Sequence, residues 1–180
     1  FADKTNFLIE DGLTGIVGPN GCGKSNIVES LRWVMGETSA KSMRGSGMED
    51  VIFSGTSNKA SKNIAEVSVT IENKDNEGTI NYQELGEINI RRKIEKDKGS
   101  KFYINDKEVR ARDTQMFFAD LSTGAHSPSM ISQGRIGALV TAKPTDRRAI
   151  LEEAAGISGL HVRRHEAELR LGAAENNLKR

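Results

Sequence analysis

The feature that most constrains the fold is a glycine-rich loop placed between an apolar run and a helical pattern. Residues 18–25 read GPNGCGKS and match the pattern G-x-x-x-x-G-K-[ST]. The apolar run before the loop, residues 13–17, predicts a short, buried parallel strand. After the loop, Ile27 and Val34 lie two helical turns apart, and Gly36 stands where a helix C-cap glycine belongs. We therefore expect the order strand, loop, helix.

This order of elements suits the binding of a polyphosphate. Successive backbone N–H groups must turn inward around the phosphate oxygens, which requires positions without a side chain. The helix N-terminus adds a partial positive charge, Lys24 can reach the β- and γ-phosphates, and the Ser25 hydroxyl can ligate Mg²⁺. The loop therefore predicts a nucleotide site, formed by Gly18, Pro19, Asn20, Gly21, Cys22, Gly23, Lys24, Ser25 and Asn26.

The single cysteine of the chain, Cys22, lies within this loop and permits no internal disulfide. It has two interpretations. It is either a small residue tolerated in a tight turn, or a thiol activated by the helix end and by Lys24. Under both interpretations we expect it to be accessible to reagents.

Composition and charge exclude several classes of protein. The 180 residues are 36% hydrophobic with a formal charge of +1, which excludes a disordered tail. No run approaches the roughly 18 apolar residues of a membrane span, so we expect no membrane partner. The overall charge balance does not predict a nucleic-acid partner, so any basic surface has to be local. The chain opens on Phe1 and ends within a helical pattern, and we expect its parent to extend beyond both ends.

The loop motif alone does not say which class of nucleotide hydrolase this is. A GTPase needs an N-K-x-D motif, and residues 73–76, NKDN, fail at the fourth position. An ABC-type ATPase needs a signature motif and then an apolar strand that ends in Asp-Glu. Residues 116–120 imitate that strand, but Leu121 follows where the carboxylate should be, and residues 121–124 imitate the signature in the wrong order. We therefore expect the catalytic carboxylates to lie outside this chain.

The middle and the end of the chain show two further patterns. Apolar residues alternate with a period of two from residue 64, which predicts an antiparallel meander over about 64–109. Helices are predicted over residues 111–121 and from Pro144 to residue 155. The last 21 residues carry a heptad seam, which is either the start of a coiled coil or the apolar face of a helix packed on its own domain. The seam consists of Leu160, Arg164, Ala167, Leu171, Ala174 and Leu178.

Taken together, these motifs resemble the N-terminal part of the ATPase head of a structural maintenance of chromosomes (SMC) protein of the bacterial chromosome-segregation type. The resemblance covers essentially the whole chain, and its motifs follow the order of the family, although residues 72–107 match in pattern rather than in residues. The matching stretches are residues 1–5 (FADKT), 12–17 (GLTGIV), Asn26 after the loop, 44–53 (RGSGMEDVIF), 131–136 (ISQGRI) and 143–157 (KPTDRRAILEEAAGI).

The resemblance implies an α/β fold of the P-loop, ABC-type ATPase class, with ATP and Mg²⁺ as cofactors. The head would span residues 1–157, with the Q-loop at about 131–136, and residues 158–180 would begin the coiled-coil arm. Gln133 matches the Q-loop glutamine, which contacts Mg²⁺ and the attacking water. Arg44 matches an arginine that assists hydrolysis in related heads.

The resemblance also implies what the complete protein does. The C-terminal half of the same parent protein would supply the missing carboxylates, and a second head would join in a homodimer around two nucleotides. The complete protein would hydrolyse ATP for chromosome condensation, organisation and segregation in the cytoplasm, on the nucleoid, with accessory subunits. This fragment alone would bind ATP without significant turnover. The alternatives are a coiled-coil DNA-repair ATPase of the same architecture and a transporter nucleotide-binding subunit.

A local basic segment is the remaining clue. Residues 91–112 hold nine basic residues against four acidic ones. One interpretation is a set of solvated strand edges whose lysines discourage further pairing. The other is contact with the phosphate backbone of DNA, without base readout. The candidate DNA contacts are Arg91, Arg92, Lys93 and Lys101.

Overall fold

The structure is a computed structural model that describes most of the chain. It covers residues 1–40, 45–73, 82, 84–121, 123, 124, 127, 129–131, 135–155 and 158–178. The helices are α1 (Lys24–Val34), α2 (Ala111–Asp120), α3 (Arg135–Thr141), α4 (Pro144–Ala154) and α5 (Ser158–Leu178). The strands are β1 (Ile64–Glu72), β2 (Glu87–Glu95), β3 (Gly99–Ile104) and β4 (Lys107–Val109), and a 3₁₀ turn spans Met48–Val51.

The four strands form one antiparallel sheet in the order β1-β2-β3-β4, which confirms the predicted meander. The β3–β4 turn is Asn105-Asp106, and both residues have positive φ, as a two-residue type I′ hairpin turn requires. Asn105 also lies beside β2, since the Asn89 amide donates to its side-chain oxygen at 2.7 Å. The register is thereby fixed at the end of the β2–β3 ladder.

One face of the sheet is apolar and carries the core. In β2 every second residue is buried, and the residues between them are only half-buried. Helices α1 and α2 cover this face, α1 with Val34 and α2 with Phe117 and Phe118. The two phenylalanine rings meet edge to face at 5.5 Å between centroids, and such pairs add about 0.5–1.5 kcal/mol to the burial of their area. The fully buried cluster consists of Val34, Ile88, Ile90, Ile104, Phe117 and Phe118.

A buried arginine joins α1 to the sheet. Arg92 of β2 points to the apolar face and is 2% exposed. Its Nη1 donates to the carbonyl oxygens of Trp33 at 2.7 Å and Glu37 at 2.6 Å, which lie at the C-terminal end of α1. The guanidinium lies between the rings of Trp33 and Phe102, 4.5 Å from each centroid. Burial lowers the pKa of Arg92 to about 10, against the opposing effect of Glu37, so it stays charged at neutral pH.

Helix α1 ends as the sequence predicts. Gly36 has φ +101°, its N–H donates to the Trp33 carbonyl, and the Glu37 N–H donates to the Arg32 carbonyl. These two bonds make a Schellman motif, which favours glycine at this position. From α2, Gln115 Nε2 donates to the Gly36 carbonyl at 2.6 Å. The end of α1 is therefore held by both the sheet and α2.

The predicted buried strand at residues 13–17 is wrong in this structure. The segment before the loop forms no strand, and Leu13 is 98% and Val17 92% exposed. The physical reason is that a strand needs a neighbour to pair with, and no described residue pairs with this segment. The apolar composition of residues 13–17 is typical of a buried segment, but composition alone does not identify what this segment packs against.

The helical predictions for the second half are confirmed, with one addition. Helix α2 ends at Asp120 and α4 begins at Pro144, and α3 was not predicted. The run at 116–120 that imitates a catalytic strand lies in α2, so rejecting it was right. Helix α5 contacts α2 and α4, and its seam residues Leu171 and Leu178 are exposed. No helix among the described residues has the length and apolar character to cross a bilayer.

We expect Gly36→Ala to destabilise the fold by about 2 kcal/mol or more, since an L-residue at positive φ costs roughly 1–2 kcal/mol and a Cβ adds a clash. That Cβ would lie 2.5 Å from Cγ of Gln115. Urea unfolding of the chain, followed by the fluorescence of its single tryptophan, Trp33, measures the effect. Gly172→Ala is the control, because a Cβ there meets open space and alanine favours the helix by about 1 kcal/mol. Equal midpoints for the two variants would contradict this account.

Candidate functional site

The phosphate loop, residues 18–23, leads directly into α1. Gly21 and Gly23 have φ values of +81° and +92°, a region that side-chain-bearing residues rarely adopt. Gly23 is the N-cap of α1, and no side chain caps the helix. The backbone itself therefore requires glycine at positions 21 and 23, as the sequence analysis predicts for this loop.

The start of α1 is built for an anion. The first turn contains no acidic residue and begins instead with Lys24, although a helix N-terminus disfavours a cation by several tenths of a kcal/mol. The N-terminal N–H groups of a helix lack partners within it and carry partial positive charge. A lysine at this end destabilises the helix by itself. A negatively charged ligand that contacts both Lys24 and the helix N-terminus would account for its presence.

The Lys24 side chain folds back over the loop. Its Nζ donates to the carbonyl oxygens of Gly18 at 2.7 Å and Pro19 at 2.5 Å, and lies 3.9 Å from Sγ of Cys22. These contacts hold the ammonium group against the backbone of the loop. A Cβ on Gly18 would lie 3.0 Å from Sγ of Cys22, so the loop is also closely packed on itself.

Cys22 is exposed, as the sequence predicts, and its thiol is accessible from solvent. On the other side of the loop, the Phe1 ring lies close to Gly23, where a Cβ would be 3.5 Å from its Cζ. Phe1 in turn meets Phe7 edge to face at 6.4 Å. The loop thus carries an accessible thiol at Cys22 and has an exposed aromatic pair next to Gly23.

Two predicted site residues, Arg44 and Gln133, lie outside the described residues, and their roles stay predictions. Around Arg44 the chain is well fixed on its C-terminal side. The Asp50 carboxylate accepts the Ser46 and Gly47 amides at 2.6 and 3.0 Å, and these bonds lower the pKa of Asp50. Residues 46 and 47 are therefore tied to the 3₁₀ turn.

The four candidate DNA contacts fall on opposite faces of the sheet. Arg92 is buried, so its prediction as a DNA contact is wrong: its guanidinium is enclosed by aromatic rings and carbonyl groups. Arg91, Lys93 and Lys101 lie on the outer face, where Lys93 and Lys101 are cross-strand partners. We call these three residues the basic strand face.

Carboxylates offset part of this charge. Arg91 pairs with Asp106 at 2.8 Å and with Glu66 at 3.5 Å, and its guanidinium lies 4.6 Å from the centre of the Tyr103 ring. Lys101 pairs with Glu108 at 3.1 Å, which raises the pKa of this lysine. The positive charge that remains on the outer face of the sheet is therefore smaller than the count of basic residues in 91–112 suggests.

The burial of Arg92 could have been predicted from the sequence. Arg92 is in phase with Ile88, Ile90 and Ile94, so the period of two already places it on the apolar face. Reading the run RRK as one basic patch ignored this alternation.

Comparison with known proteins agrees with this geometry. Residues 1–135 match the family model of the RecF/RecN/SMC N-terminal domain. The chain belongs to this family. The resemblance to a bacterial SMC head is confirmed, and the fold is an α/β, ABC-type ATPase head lobe.

Among the relatives are two proteins named chromosome partition protein Smc. That of Cereibacter sphaeroides is 57% identical over 180 residues, and that of Rhodopseudomonas palustris is 56% identical. Each match covers the whole of this chain but only 16% of the relative. The chain therefore corresponds to about one sixth of a full relative.

Solved structures show the same fold. A Pyrococcus furiosus Smc head with an extended coiled coil, bound to the C-terminal domain of ScpA, superposes with a TM-score of 0.68 at 30% identity. The match covers 90% of this chain and 40% of that one. A structure from work on ATP-driven dimerisation and DNA-stimulated activation of SMC ATPases gives 0.68 at 30% identity, covering 81% and 86%.

Proposed function

We propose that this chain is the ATP-binding N-terminal half of an SMC head. The complete protein would use ATP-driven dimerisation and hydrolysis to organise and segregate the chromosome. The observation that carries this proposal is the phosphate loop, with Lys24 folded back onto its carbonyl groups at the start of α1, which no side chain caps. The support from relatives is their name, chromosome partition protein Smc, at up to 57% identity.

The residues present fit ATP with Mg²⁺. The backbone of residues 18–26 would hold the phosphates, and the two positive-φ glycines let its N–H groups converge. Lys24 would exchange its bonds to the Gly18 and Pro19 carbonyls for bonds to phosphate oxygens. The Ser25 hydroxyl would ligate the metal ion, which neutralises phosphate charge when bound. Among the described residues, no group of three His, Cys, Asp or Glu side chains could hold a metal by itself.

Hydrolysis would need residues of this chain and of the remainder of its parent. We assign Gln133 to the metal ion and the attacking water, and Arg44 to the charge that develops during phosphoryl transfer. The exposed apolar segment before the loop supports docking of the C-terminal half, because Leu8, Leu13 and Val17 are each at least 85% exposed here. Without that half, we expect the fragment to bind ATP weakly and turn it over negligibly.

The partners we propose follow from the same relatives. A second head would complete the site, and a ScpA-like subunit is the accessory partner suggested by the Pyrococcus furiosus complex. Residues 158–180 would begin the coiled-coil arm, since the exposed seam of α5 offers leucines to another helix. The protein would act in the cytoplasm, on the nucleoid. Neither a DNA-repair ATPase nor a transporter subunit is favoured by these relatives.

DNA would bind through the phosphate backbone. The basic strand face supports this, because Lys93 and Lys101 are adjacent across two strands and their long side chains reach outward. The contribution of Arg91 would be smaller, since Asp106 and Glu66 already pair with it.

The test of nucleotide binding uses Lys24→Ala and the thiol of Cys22. We expect ATP with Mg²⁺ to slow alkylation of Cys22, because bound phosphates would cover the loop. Lys24→Ala should abolish this protection and the binding itself. Lys62→Ala, an exposed lysine outside the loop, should leave both unchanged. Equal alkylation rates with and without saturating nucleotide would refute the site.

The roles of Arg44 and Gln133 are tested in the complete protein. Arg44→Ala and Gln133→Ala should each lower kcat by about tenfold or more, with a much smaller change in nucleotide affinity. The reason is that neither residue needs to hold the phosphates in the ground state. Arg110→Ala, at an exposed position before α2, is the control. If either variant lost ATP binding as fully as Lys24→Ala, its assigned role would be wrong.

The DNA proposal predicts a change in salt dependence. The double variant Lys93→Ala/Lys101→Ala should bind duplex DNA more weakly, with a log–log salt slope shallower by about one unit per lost contact. ATP binding should persist. Lys4→Ala/Lys62→Ala removes the same charge elsewhere and should leave the slope unchanged. An unaltered slope in the first double variant would show that these lysines are only solvated strand edges.

A further inference from the structure

Helix α1 is most deeply buried at its C-terminal end. Its buried residues are Trp33 and Val34, both in its last turn, whereas the first two turns are half-buried or exposed. The phosphate loop precedes the opposite end, where Lys24 and Ser25 begin the helix. Within the described residues, the proposed nucleotide site therefore lies at the less buried end of this helix.

The anchor is centred on Arg92. Two carbonyl oxygens at the end of α1 accept from its Nη1, and its guanidinium is held between Trp33 of the helix and Phe102 of the sheet. Gln115 holds the next carbonyl, that of Gly36, from α2. An arginine suits this place because its planar group both stacks on rings and donates several hydrogen bonds. The ammonium group of a lysine is not planar and cannot stack between the two rings in this way.

We propose that Arg92 is a positioning residue for the phosphate loop: by fixing the carbonyl end of α1, it sets where the other end presents Lys24 and Ser25. This inference rests on the proposed function, since it assumes that the loop binds nucleotide. It assigns Arg92 no contact with the nucleotide.

The geometry of the helix makes the effect large. Eleven residues span about 16 Å, and over that length a tilt of about 2° moves the far end by roughly 0.5 Å. Binding sites need their groups within about 0.5 Å of the productive geometry. A displacement of about 1 Å can cost on the order of a hundredfold in function. A small tilt of α1 about its Arg92 end would therefore displace the phosphate loop.

The test uses the complete parent protein and two variants, Arg92→Lys and Arg92→Met. Lys96→Met is the matched control, because it also removes one positive charge, from an exposed position directly after the same strand. Affinity for ATP with Mg²⁺ is measured at a temperature well below the unfolding midpoint of every variant, where all are folded by circular dichroism. The concentration of ATP that half-protects Cys22 from alkylation is measured in parallel.

Positioning predicts that affinity falls in the folded variants, by about tenfold in Arg92→Met and less in Arg92→Lys, while Lys96→Met matches the wild type. The half-protecting concentration should rise by the same factor. A purely structural role would lower the unfolding midpoint and leave both quantities unchanged, and that result would overturn the proposal.

The two proposals fail in different ways. If Lys24→Ala bound ATP normally, the proposed function itself would be wrong. If Lys24→Ala lost binding and Arg92→Lys kept it in full, only the positioning role would be wrong. Should both Arg92 variants fail to fold, Gln115→Ala decides, since it loosens the same helix end through a separate contact. An unchanged affinity in that variant would overturn the proposal.

Discussion

The guanidinium of Arg92 is the point where helix, sheet and the loop after the helix meet. It donates to the carbonyl of Trp33 in the last turn of α1 and to that of Glu37 just after the helix, and it does so from within the apolar face of the sheet. A buried charge without such partners would cost several kcal/mol. Here the carbonyl oxygens, the negative end of the helix dipole and two aromatic rings provide compensation. The position of α1 on the sheet follows from this arrangement.

The described residues comprise a packed core and an exposed N-terminal segment. The meander, α2 and the end of α1 share one core, with Val34, Ile90 and Phe118 fully buried. The segment before the loop lies outside this core with its apolar side chains in solvent. The phosphate loop lies at the boundary between them. A site placed there has a rigid support on one side and room for a partner surface on the other.

Sequence reasoning succeeded where the determinants are local. The helix end at Gly36, the alternation in β1 and β2 and the glycines of the loop depend on near neighbours, so a pattern of a few residues predicts them. It failed for residues 13–17, because strand formation depends on a partner that the pattern does not contain. For the site, the motif predicts Lys24 and Ser25 directly. Arg44 and Gln133 came only from the family resemblance, since neither has a chemical pattern of its own.

The strict alternation of β2 has a consequence for how the protein tolerates change. Positions 88, 90, 92 and 94 face the core, whereas 89, 91, 93 and 95 face outward. Saturation mutagenesis across this strand should show that tolerance to substitution alternates from one residue to the next. Arg92 should tolerate substitution as poorly as the core positions Ile88, Ile90 and Ile94. A substitution matrix that weighs residues by chemical class would score that arginine as replaceable by lysine. The local environment makes it one of the least replaceable residues in the strand.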